Sequence, residues 1–166
     1  DGTSLSVTVK QMKDGYGTGL MFSEFKEGDR VELDGPMGHE LVINKNAKKV
    51  LLVAGGIGIT PFVPIVKDLV KNKNHIEDFT LVYGANLESE FLYDEVFTEL
   101  EQKSEKFNYV KVAAFDENWQ GRKGFVTDVM KEMDLSDYKV YMCGPKPMTN
   151  ATVNMLKQHK FNVDNI

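Results

Sequence analysis

The stretch Val50-Leu-Leu-Val-Ala-Gly-Gly-Ile-Gly-Ile-Thr-Pro-Phe62 decides how the rest of the chain is interpreted. Its first five residues are all apolar, which is typical of a strand covered on both faces of a parallel sheet. A glycine-rich loop follows, in which the backbone can approach a ligand without a Cβ in the way. The glycines of this loop are Gly55, Gly56 and Gly58.

A helix is predicted directly after the glycine loop. Thr60 is a favourable N-cap residue, and Pro61 stands where a first helical residue is favoured. Apolar residues then recur at helical spacing, at Phe62, Ile65, Val66, Leu69 and Val70. The free N–H groups and positive dipole end of such a helix favour anions, which indicates a phosphate site. A tight turn between strand and helix is the alternative, because one glycine loop is a weak signal.

The composition is that of a globular protein and argues against several classes. The 166 residues, 42% of them hydrophobic and 27% charged, are enough for one domain with a real core plus something smaller. A net charge of −5 without a basic cluster argues against nucleic acid as the main partner. Glycines and prolines interrupt the longest apolar stretch, so no transmembrane segment is predicted. Because the sequence begins at Asp1 without a Met or a signal peptide, we expect a piece of something longer.

Metal binding and disulfide bonding are not expected. The histidines His39, His75 and His159 are isolated in the sequence, and no ligand spacing surrounds them. The chain has one cysteine, which excludes an internal disulfide.

From Val50 onward, after a polar and basic linker at residues 44–49, strand and helix patterns alternate. This alternation predicts an α/β domain with a Rossmann-like parallel sheet, wound right-handedly with helices on both faces. The strands predicted after the first are Phe79–Tyr83, Tyr109–Phe115 and Lys139–Cys143. The predicted helices are Glu90–Lys103, Val126–Met133 and Pro147–His159. The last residues, 163–166, predict the start of a fifth strand.

Residues 1–44 have a different pattern. Leu5, Val7 and Val9 alternate with polar residues, and the segment Arg30–Asp34 alternates again, which predicts two antiparallel strands. A short helical segment lies between them, and Gly35-Pro-Met-Gly predicts a turn. Two strands and a short helix are too little for a stable β domain. We therefore predict a partial antiparallel β-barrel in residues 1–44 and a second domain in residues 45–166.

Two motifs in the second domain resemble those of the ferredoxin–NADP reductase superfamily of flavoprotein reductases. Gly-Gly-x-Gly-x-Thr-Pro, which ends at Pro61, is similar to its nucleotide-binding loop. Cys143-Gly144-Pro145 with Met148 resembles its second signature, C-G-P-x-x-M. The resemblance implies that Cys143 and Gly144 lie beside the nicotinamide ring and that Thr60 meets the same end of the cofactor. Taken alone, Cys143 is better explained as a small buried residue at a strand end.

The first 44 residues resemble the end of the superfamily's flavin-binding barrel. The similar segments are Gly15 to Thr18, Glu27-Gly-Asp29 and Gly35-Pro-Met-Gly38. The resemblance implies that Gly17 and Thr18 belong to a flavin phosphate loop, and ordinary turn glycines are the alternative. The superfamily's R-x-Y-S/T flavin motif lies upstream of these segments, and this sequence does not contain it. We therefore expect FAD or FMN in the full-length protein and not in this chain by itself.

The residues that follow the predicted strands are candidates for cofactor specificity, because ligands bind beyond the carboxyl ends of the strands in such sheets. Gly84 to Asn86 follow the second strand, and Asp116 with Glu117 follows the third. Superfamily members that prefer NADP commonly carry arginine at these places. A carboxylate accepts hydrogen bonds from ribose hydroxyls but repels a 2′-phosphate, so Asp116 favours NAD over NADP. A solvated loop is the alternative, and we expect Trp119 to pack in the protein and not on adenine.

The resemblance covers nearly the whole chain and implies an NADH-dependent flavoprotein reductase. In such proteins the nicotinamide passes hydride to flavin N5, and electrons leave singly to an iron–sulfur or haem acceptor, which can be on the same polypeptide. It also implies a cytoplasmic location, either free or on the cytoplasmic side of a membrane complex. A non-catalytic nucleotide-binding module is one alternative, left open by the missing flavin motif. The electron-transfer subunit of dihydroorotate dehydrogenase is another, although its [2Fe–2S] centre needs a cysteine cluster.

Overall fold

A computed structural model describes residues 4–35, 41–72 and 75–166. The chain divides into two units, Asp1–Glu40 and Leu41–Ile166. The domain boundary proposed from the sequence, after residue 44, stays a prediction.

The unit Leu41–Ile166 contains a five-stranded sheet in which every neighbouring pair of strands is parallel. Its strands are β1 (Lys49–Gly55), β2 (Asp78–Ala85), β3 (Phe107–Ala113), β4 (Arg122–Lys123) and β5 (Tyr138–Cys143). They are arranged in the order β4-β3-β2-β1-β5, so β1 lies between β2 and β5. The predicted parallel α/β sheet is confirmed, and the two-residue strand β4 is an addition that the sequence pattern did not predict.

The helices are α1 (Tyr16–Glu24), α2 (Phe62–Lys71), α3 (Asp94–Lys103), α4 (Val126–Met130) and α5 (Lys146–Gln158). Short 3-10 turns cover Gly56–Ile59, Glu88–Glu90 and Val163–Asn165. The helix predicted over 90–103 is therefore divided: Tyr93, with a φ of +59°, separates α3 from the preceding 3-10 turn. The chain end predicted to start a fifth strand forms the last 3-10 turn instead.

The side chains of β1 alternate between two hydrophobic clusters. Val50 and Leu52 face a cluster formed with residues of α2 and α3, whereas Leu51 and Val53 face one formed with residues of α4 and α5. All four side chains are completely buried. An uninterrupted apolar run is what a central strand needs when helices cover both faces of its sheet. The predicted helices on both faces are confirmed.

The predicted N-cap at Thr60 is wrong. Gly56–Ile59 forms a 3-10 turn, and Thr60 continues its helical backbone with a φ of −58° and a ψ of −44°. The N-cap residue of α2 is Pro61, and α2 begins at Phe62. An N-cap side chain bonds the first helical turn from an extended backbone. Thr60 lacks that backbone because the turn before it is already helical.

In the unit Asp1–Glu40, residues 4–35 contain helix α1 and no strand. The predicted antiparallel strands of a partial barrel are therefore wrong for these residues. Leu5 and Leu33 are 83% and 64% exposed. Alternating segments become strands only when a neighbouring strand supplies the hydrogen-bonded ladder, and none of the described residues of this unit does so. Most of the predicted Gly35–Gly38 turn lies outside the described residues.

Candidate nucleotide site

The carboxyl ends of β1 and β5 define the crevice in which ligands of such sheets bind. After β1 the chain proceeds outward to β2, β3 and β4, whereas β5 lies on the other side of β1. The loops after β1 and β5 therefore lead away from a topological switch point, which is where ligands bind in open α/β sheets. The two signature motifs of the sequence occupy these two loops.

Gly58 is the point at which the two loops meet. A Cβ added to Gly58 would lie 2.2 Å from the carbonyl oxygen of Cys143 and 2.8 Å from the Cα of Gly144. Gly58 is itself buried. The sequence suggested that a glycine here leaves room for a ligand, but its neighbours are the backbone atoms of the other loop. Close packing between the loops is therefore the reason for glycine at this position.

The side chain of Met148 packs against Gly55 and Gly144, one glycine from each signature loop. A Cβ on Gly55 would lie 2.5 Å from the Sδ of Met148 and 3.0 Å from the Cδ of Pro145. A Cβ on Gly144 would lie 2.6 Å from the Cε of Met148 and 3.0 Å from the backbone nitrogen of Gly55. The structure thus brings the residues of both predicted motifs into one assembly at the end of β1.

Gly56 differs from the other glycines of this loop. Its φ is +52°, and no heavy atom outside its chain neighbours lies within 4 Å of the position that a Cβ would take. The positive φ favours glycine, and the open space leaves the backbone accessible to a ligand. This open glycine begins a helical segment that runs through the 3-10 turn Gly56–Ile59 and Thr60 into the ten-residue helix α2. Free N–H groups at such a start are compatible with a phosphate ligand.

Cys143 and Thr60 are the residues predicted to lie at the nicotinamide end. Cys143 is partly buried and packs against the cluster that contains Val50 and Leu52. Burial raises the pKa of its thiol, so Cys143 is protonated at neutral pH. Thr60 is partly exposed, and its N–H donates to the carbonyl of Ile57 at 3.2 Å. The roles of both residues at the nicotinamide stay predictions.

Gly84, another predicted binding residue, lies near the end of β2. A Cβ there would be 2.8 Å from the Cγ1 of Val126. Glycine at this position therefore allows α4 to pack closely on the sheet. This contact explains Gly84 without a ligand.

Asp116 joins the loops after β2 and β3. Its Oδ2 accepts the N–H of Glu88 at 3.0 Å, and its Oδ1 accepts the N–H groups of Asn118 and Trp119 at 3.0 and 3.2 Å. These bonds, chiefly the one from Glu88, hold the pKa of Asp116 below its usual range. Asn86 accepts the N–H of Phe115 on its carbonyl at 3.0 Å. Asp116 is thus ionised, and it stabilises the two loops whether or not it also contacts ribose.

Trp119 packs within the protein, as expected. Its Nε1 donates to the carbonyl of Arg122 at 2.9 Å, and its ring centroid lies 5.6 Å from that of Phe91. The ammonium group of Lys111 lies 5.5 Å from the Trp119 ring and 2.9 Å from Asp94. No local pattern indicates this cluster, because its members are far apart in the chain.

Tyr83 is the contact residue that sequence reasoning missed. Its hydroxyl lies 3.0 Å from the carbonyl oxygen of Gly56 and 3.2 Å from the backbone nitrogen of Leu92. A tyrosine within an apolar strand is more often a core residue, so its sequence position alone did not single it out.

Gly17 and Thr18 lie in the first turn of α1, in the N-terminal unit. The hydroxyl oxygen of Thr18 accepts the N–H of Met12 at 3.0 Å. No heavy atom lies within 4 Å of a Cβ placed on Gly17. The free N–H groups of a helix start are compatible with a phosphate ligand, and the flavin role of both residues stays a prediction.

Two cavities lie elsewhere in the unit Leu41–Ile166. One of about 400 Å³ is lined by residues of α4, α5 and the chain end, including Met130, Met155 and His159. Another of about 380 Å³ is lined by residues around Ile43 and Ile65. Neither lining includes a residue of the loops after β1 and β5.

Within the described ranges, no cluster of three His, Cys, Asp or Glu side chains is arranged for a metal ion, and no helix is long and apolar enough to span a membrane.

The sequence has many relatives among characterised proteins. The reductase component DmpP of phenol 2-monooxygenase from Pseudomonas sp. (strain CF600) is 35% identical over 156 residues, which cover 90% of this chain and 44% of that protein. The probable electron transfer subunit of dihydroorotate dehydrogenase B (NAD(+)) from Thermococcus kodakarensis is 38% identical over 135 residues, covering 80% and 52%. One component of the Na(+)-translocating NADH-quinone reductase from Klebsiella pneumoniae is 32% identical over 161 residues, covering 89% and 39%. The chain thus spans about half the length of these relatives.

Solved structures have the same fold. The Amycolatopsis cytochrome P450 reductase GcoB superposes with a TM-score of 0.84 at 26% identity, over 95% of this chain and 49% of that one. The CS-b5R domains of human Ncb5or in the NAD+ form give 0.82 at 23% identity, over 95% and 46%. The profile of the oxidoreductase NAD-binding domain family matches residues 52–154. The chain therefore belongs to this family, the nucleotide-binding domains of reductases like ferredoxin–NADP reductase.

Proposed function

We propose that this chain is the nicotinamide-nucleotide-binding part of an NADH-dependent flavoprotein reductase. The observation that carries the proposal is the meeting of the two signature loops at the switch point, where Gly58 packs on the carbonyl of Cys143. One loop offers a glycine cradle and a helix N-terminus for a diphosphate. The other places a partly buried thiol and a glycine at the end of β5.

The residues of the site would divide the cofactor between them. Gly56 and the start of the helical segment that leads through the 3-10 turn into α2 would hold the diphosphate. Thr60, Cys143 and Gly144 would border the nicotinamide. When bound, NADH supplies a hydride that flavin N5 accepts. The protein contributes orientation and the exclusion of water, because the cofactors carry the chemistry. The Cys143 thiol stays protonated and shapes the pocket, and no side chain of the site has to accept a proton.

NADH is the proposed electron donor rather than NADPH. Asp116 is ionised at the edge where the adenosine ribose would lie, and Asn86 stands where arginine is common in NADP-dependent members. A 2′-phosphate near this carboxylate would meet like-charge repulsion. Two of the relatives have names that contain NAD(+) and NADH, which also supports this choice.

The flavin and the electron acceptor would belong to the full-length protein. FAD or FMN would bind a barrel to which Gly17 and Thr18 contribute the start of α1. Electrons would then pass to an iron–sulfur or haem acceptor on the same or another polypeptide. We place the protein in the cytoplasm, free or on the cytoplasmic side of a membrane complex. The electron-transfer subunit of dihydroorotate dehydrogenase B remains a second candidate, because a relative of that name is 38% identical to this chain.

Calorimetric titration of the 166-residue chain with NADH and NADPH tests the nucleotide part of the proposal. We expect saturable binding of NADH with a lower dissociation constant than that of NADPH. The chain by itself should be colourless, whereas the longer protein should be yellow and oxidise NADH. Absence of NADH binding would reject the proposed site. A yellow longer protein that binds NADH without oxidising it would instead support the alternative of a non-catalytic module.

A further inference from the structure

Tyr83 is completely buried near the carboxyl end of β2. Its hydroxyl lies 3.0 Å from the carbonyl oxygen of Gly56, 3.4 Å from that of Glu90, and 3.2 Å from the backbone nitrogen of Leu92. A hydroxyl has one proton to donate, and the shorter distance assigns it to Gly56. The hydroxyl oxygen in turn accepts the N–H of Leu92. Tyr83 therefore joins the glycine loop after β1 to the segment after β2.

The hydroxyl of Tyr83 is protonated at neutral pH. Burial raises the pKa of Tyr83 above its usual value, and the charges of Glu90 and Asp94 raise it further, against an opposing effect of the bond from Leu92. The donor to Gly56 is thus present at neutral pH.

The bond from Tyr83 fixes the direction of one peptide group. In a trans peptide the C=O and the following N–H point in opposite directions. Holding the Gly56 carbonyl on Tyr83 therefore turns the N–H of Ile57 the opposite way. Ile57 lies in the first turn of the 3-10 helix, where N–H groups lack acceptors within the turn. Gly56 has a φ of +52°. A glycine can adopt many other backbone conformations at little cost, so a hydrogen bond that holds its carbonyl restricts the conformation of the loop.

The segment after β2, whose Leu92 N–H bonds the Tyr83 hydroxyl, is held in place by further contacts. Phe91 packs edge-on against the Tyr83 ring with 5.1 Å between centroids. The N–H of Glu88 is held by Asp116, and the N–H of Asn86 by Glu90 at 3.1 Å. Tyr83 thus attaches the flexible glycine to a part of the structure that is secured by several bonds.

We propose that Tyr83 is a positioning residue for the dinucleotide: its hydroxyl holds the Gly56 carbonyl so that the N–H of Ile57 faces the diphosphate. This inference rests on the proposed function, because the diphosphate site is part of it. A tyrosine that only filled the core would keep its packing after loss of the hydroxyl, and nucleotide affinity would not change. A positioning role and a packing role therefore predict different NADH affinities for a variant that lacks the hydroxyl.

The test compares Tyr83→Phe with the unchanged chain of 166 residues. The dissociation constant of NADH is measured by calorimetry at a temperature where both proteins are fully folded. We expect this dissociation constant to rise about fivefold or more. Without the hydrogen bond, the loop conformation that binds NADH is less populated, and restoring it takes up part of the binding free energy. In the ligand-free protein, the carbonyl ¹³C resonance of Gly56 should shift and the amide of Leu92 should exchange faster.

Two matched controls remove a tyrosine hydroxyl elsewhere. Tyr109→Phe loses a bond of 3.0 Å to Asp94 and packs against the same hydrophobic cluster as Tyr83. Tyr138→Phe loses a bond of 3.1 Å to Asp78. Both should lower stability and leave the dissociation constant of NADH unchanged. If all three substitutions weakened NADH binding equally, the inference would be overturned, because the loss of any buried tyrosine hydroxyl would then have the same effect.

Other outcomes separate this inference from the proposed function. If the unchanged chain binds NADH and Tyr83→Phe binds it equally well, Tyr83 is a packing residue and only the inference fails. If the unchanged chain does not bind NADH, both fail. If Tyr83→Phe does not fold, the inference is tested on the unsubstituted chain. Binding of NADH should shift the amide resonance of Ile57 and slow hydrogen exchange of the Leu92 amide. Unaltered resonance and exchange rate with bound NADH would overturn the inference.

Discussion

A Cβ on Gly58 would lie 2.2 Å from the carbonyl oxygen of Cys143. Atoms that are not bonded to each other do not approach so closely, so the first signature loop can contact the second only if residue 58 is glycine. The separation of the loops at the switch point therefore depends on this position. Any displacement of residue 58 moves the backbone of Cys143, which we place beside the nicotinamide.

Gly58→Ala should reduce both stability and NADH affinity. The added methyl group meets backbone atoms, which cannot move aside as a flexible side chain can. Overpacking of this kind costs about 1–3 kcal/mol of unfolding free energy. Urea denaturation measures the stability, and calorimetry measures the affinity. A variant with the stability and affinity of the parent would contradict the close packing of the loops.

Gly56→Ala provides the contrast. No atom lies within 4 Å of the new methyl group, but the φ of +52° is unfavourable for alanine, at a cost of about 1 kcal/mol. We expect a smaller loss of stability than in Gly58→Ala. NADH affinity should nevertheless fall, because the methyl group would stand in the space assigned to the diphosphate.

Cofactor choice should depend on Asp116 and Asn86. The double substitution Asp116→Ser with Asn86→Arg should narrow the ratio of the NADPH and NADH dissociation constants, because it removes a negative charge and adds a positive one. Asp116 also binds three backbone N–H groups, so stability should fall as well. Glu117→Ser is the control, since it removes a neighbouring exposed carboxylate. Equal affinity of the parent for both nucleotides would refute the assignment.

The sequence predicted those features that depend on local pattern. The apolar run from Val50 marked the central strand, because burial on both faces leaves no place for polar side chains. The two glycine signatures indicated the candidate site because their spacing is particular, and the structure brings the two loops together. Thr60 was misassigned since its backbone is set by the preceding 3-10 turn, which capping preferences do not describe.

Features that depend on distant partners could not be predicted. Glycine at residue 58 packs on the carbonyl of Cys143, and the hydroxyl of Tyr83 lies 3.0 Å from the carbonyl oxygen of Gly56. Neither partner is visible in the local pattern. The alternating residues near Leu5 lacked a strand for the same reason, because pairing requires a neighbour.

Asp128 should stabilise the domain in a pH-dependent way. Its Oδ2 accepts the N–H of Phe125 at 3.0 Å at the start of α4, and this bond, then the contact with Lys131, holds the pKa of Asp128 below its usual range. A carboxylate with a lowered pKa stabilises the fold above its unfolded-state pKa, and the contribution is lost as the pH falls through the folded-state pKa. Asp128→Asn should therefore cost roughly 0.5–1 kcal/mol of unfolding free energy at pH 7 and less at pH 2.

Urea denaturation of parent and variant at both pH values measures this difference. Asp137→Asn is the control, because Asp137 is exposed and its ion pair with Lys49 is 4.0 Å long. Its effect should stay within about 0.5 kcal/mol. A cost for Asp128→Asn that is equal at pH 2 and pH 7 would exclude the proposed role of the charge.

Cys143 should react slowly with thiol reagents. Burial raises the pKa of its thiol, so the reactive thiolate is scarcer at pH 8 than in an unfolded chain. The alkylation rate by iodoacetamide should continue to rise at a pH where a free cysteine has reached its plateau. Because the chain has one cysteine, the measured rate belongs to Cys143 alone. NADH should slow the reaction further, and an unchanged rate with saturating NADH would place the thiol outside the site.

Cys143→Ala should slow hydride transfer in the flavin-containing protein more than it weakens NADH binding. In the proposed site this side chain borders the nicotinamide, and misplacing a reacting carbon costs rate steeply. A loss of about tenfold corresponds to roughly 1.4 kcal/mol of barrier. Stopped-flow bleaching of the flavin by NADH measures this step, and electron transfer from flavin to acceptor should not change. Cys143→Ser, which nearly keeps the side-chain volume, should lose less. If Cys143→Ala bleaches as fast as the parent at saturating NADH, the side chain only packs, and the nicotinamide lies elsewhere along the sheet edge.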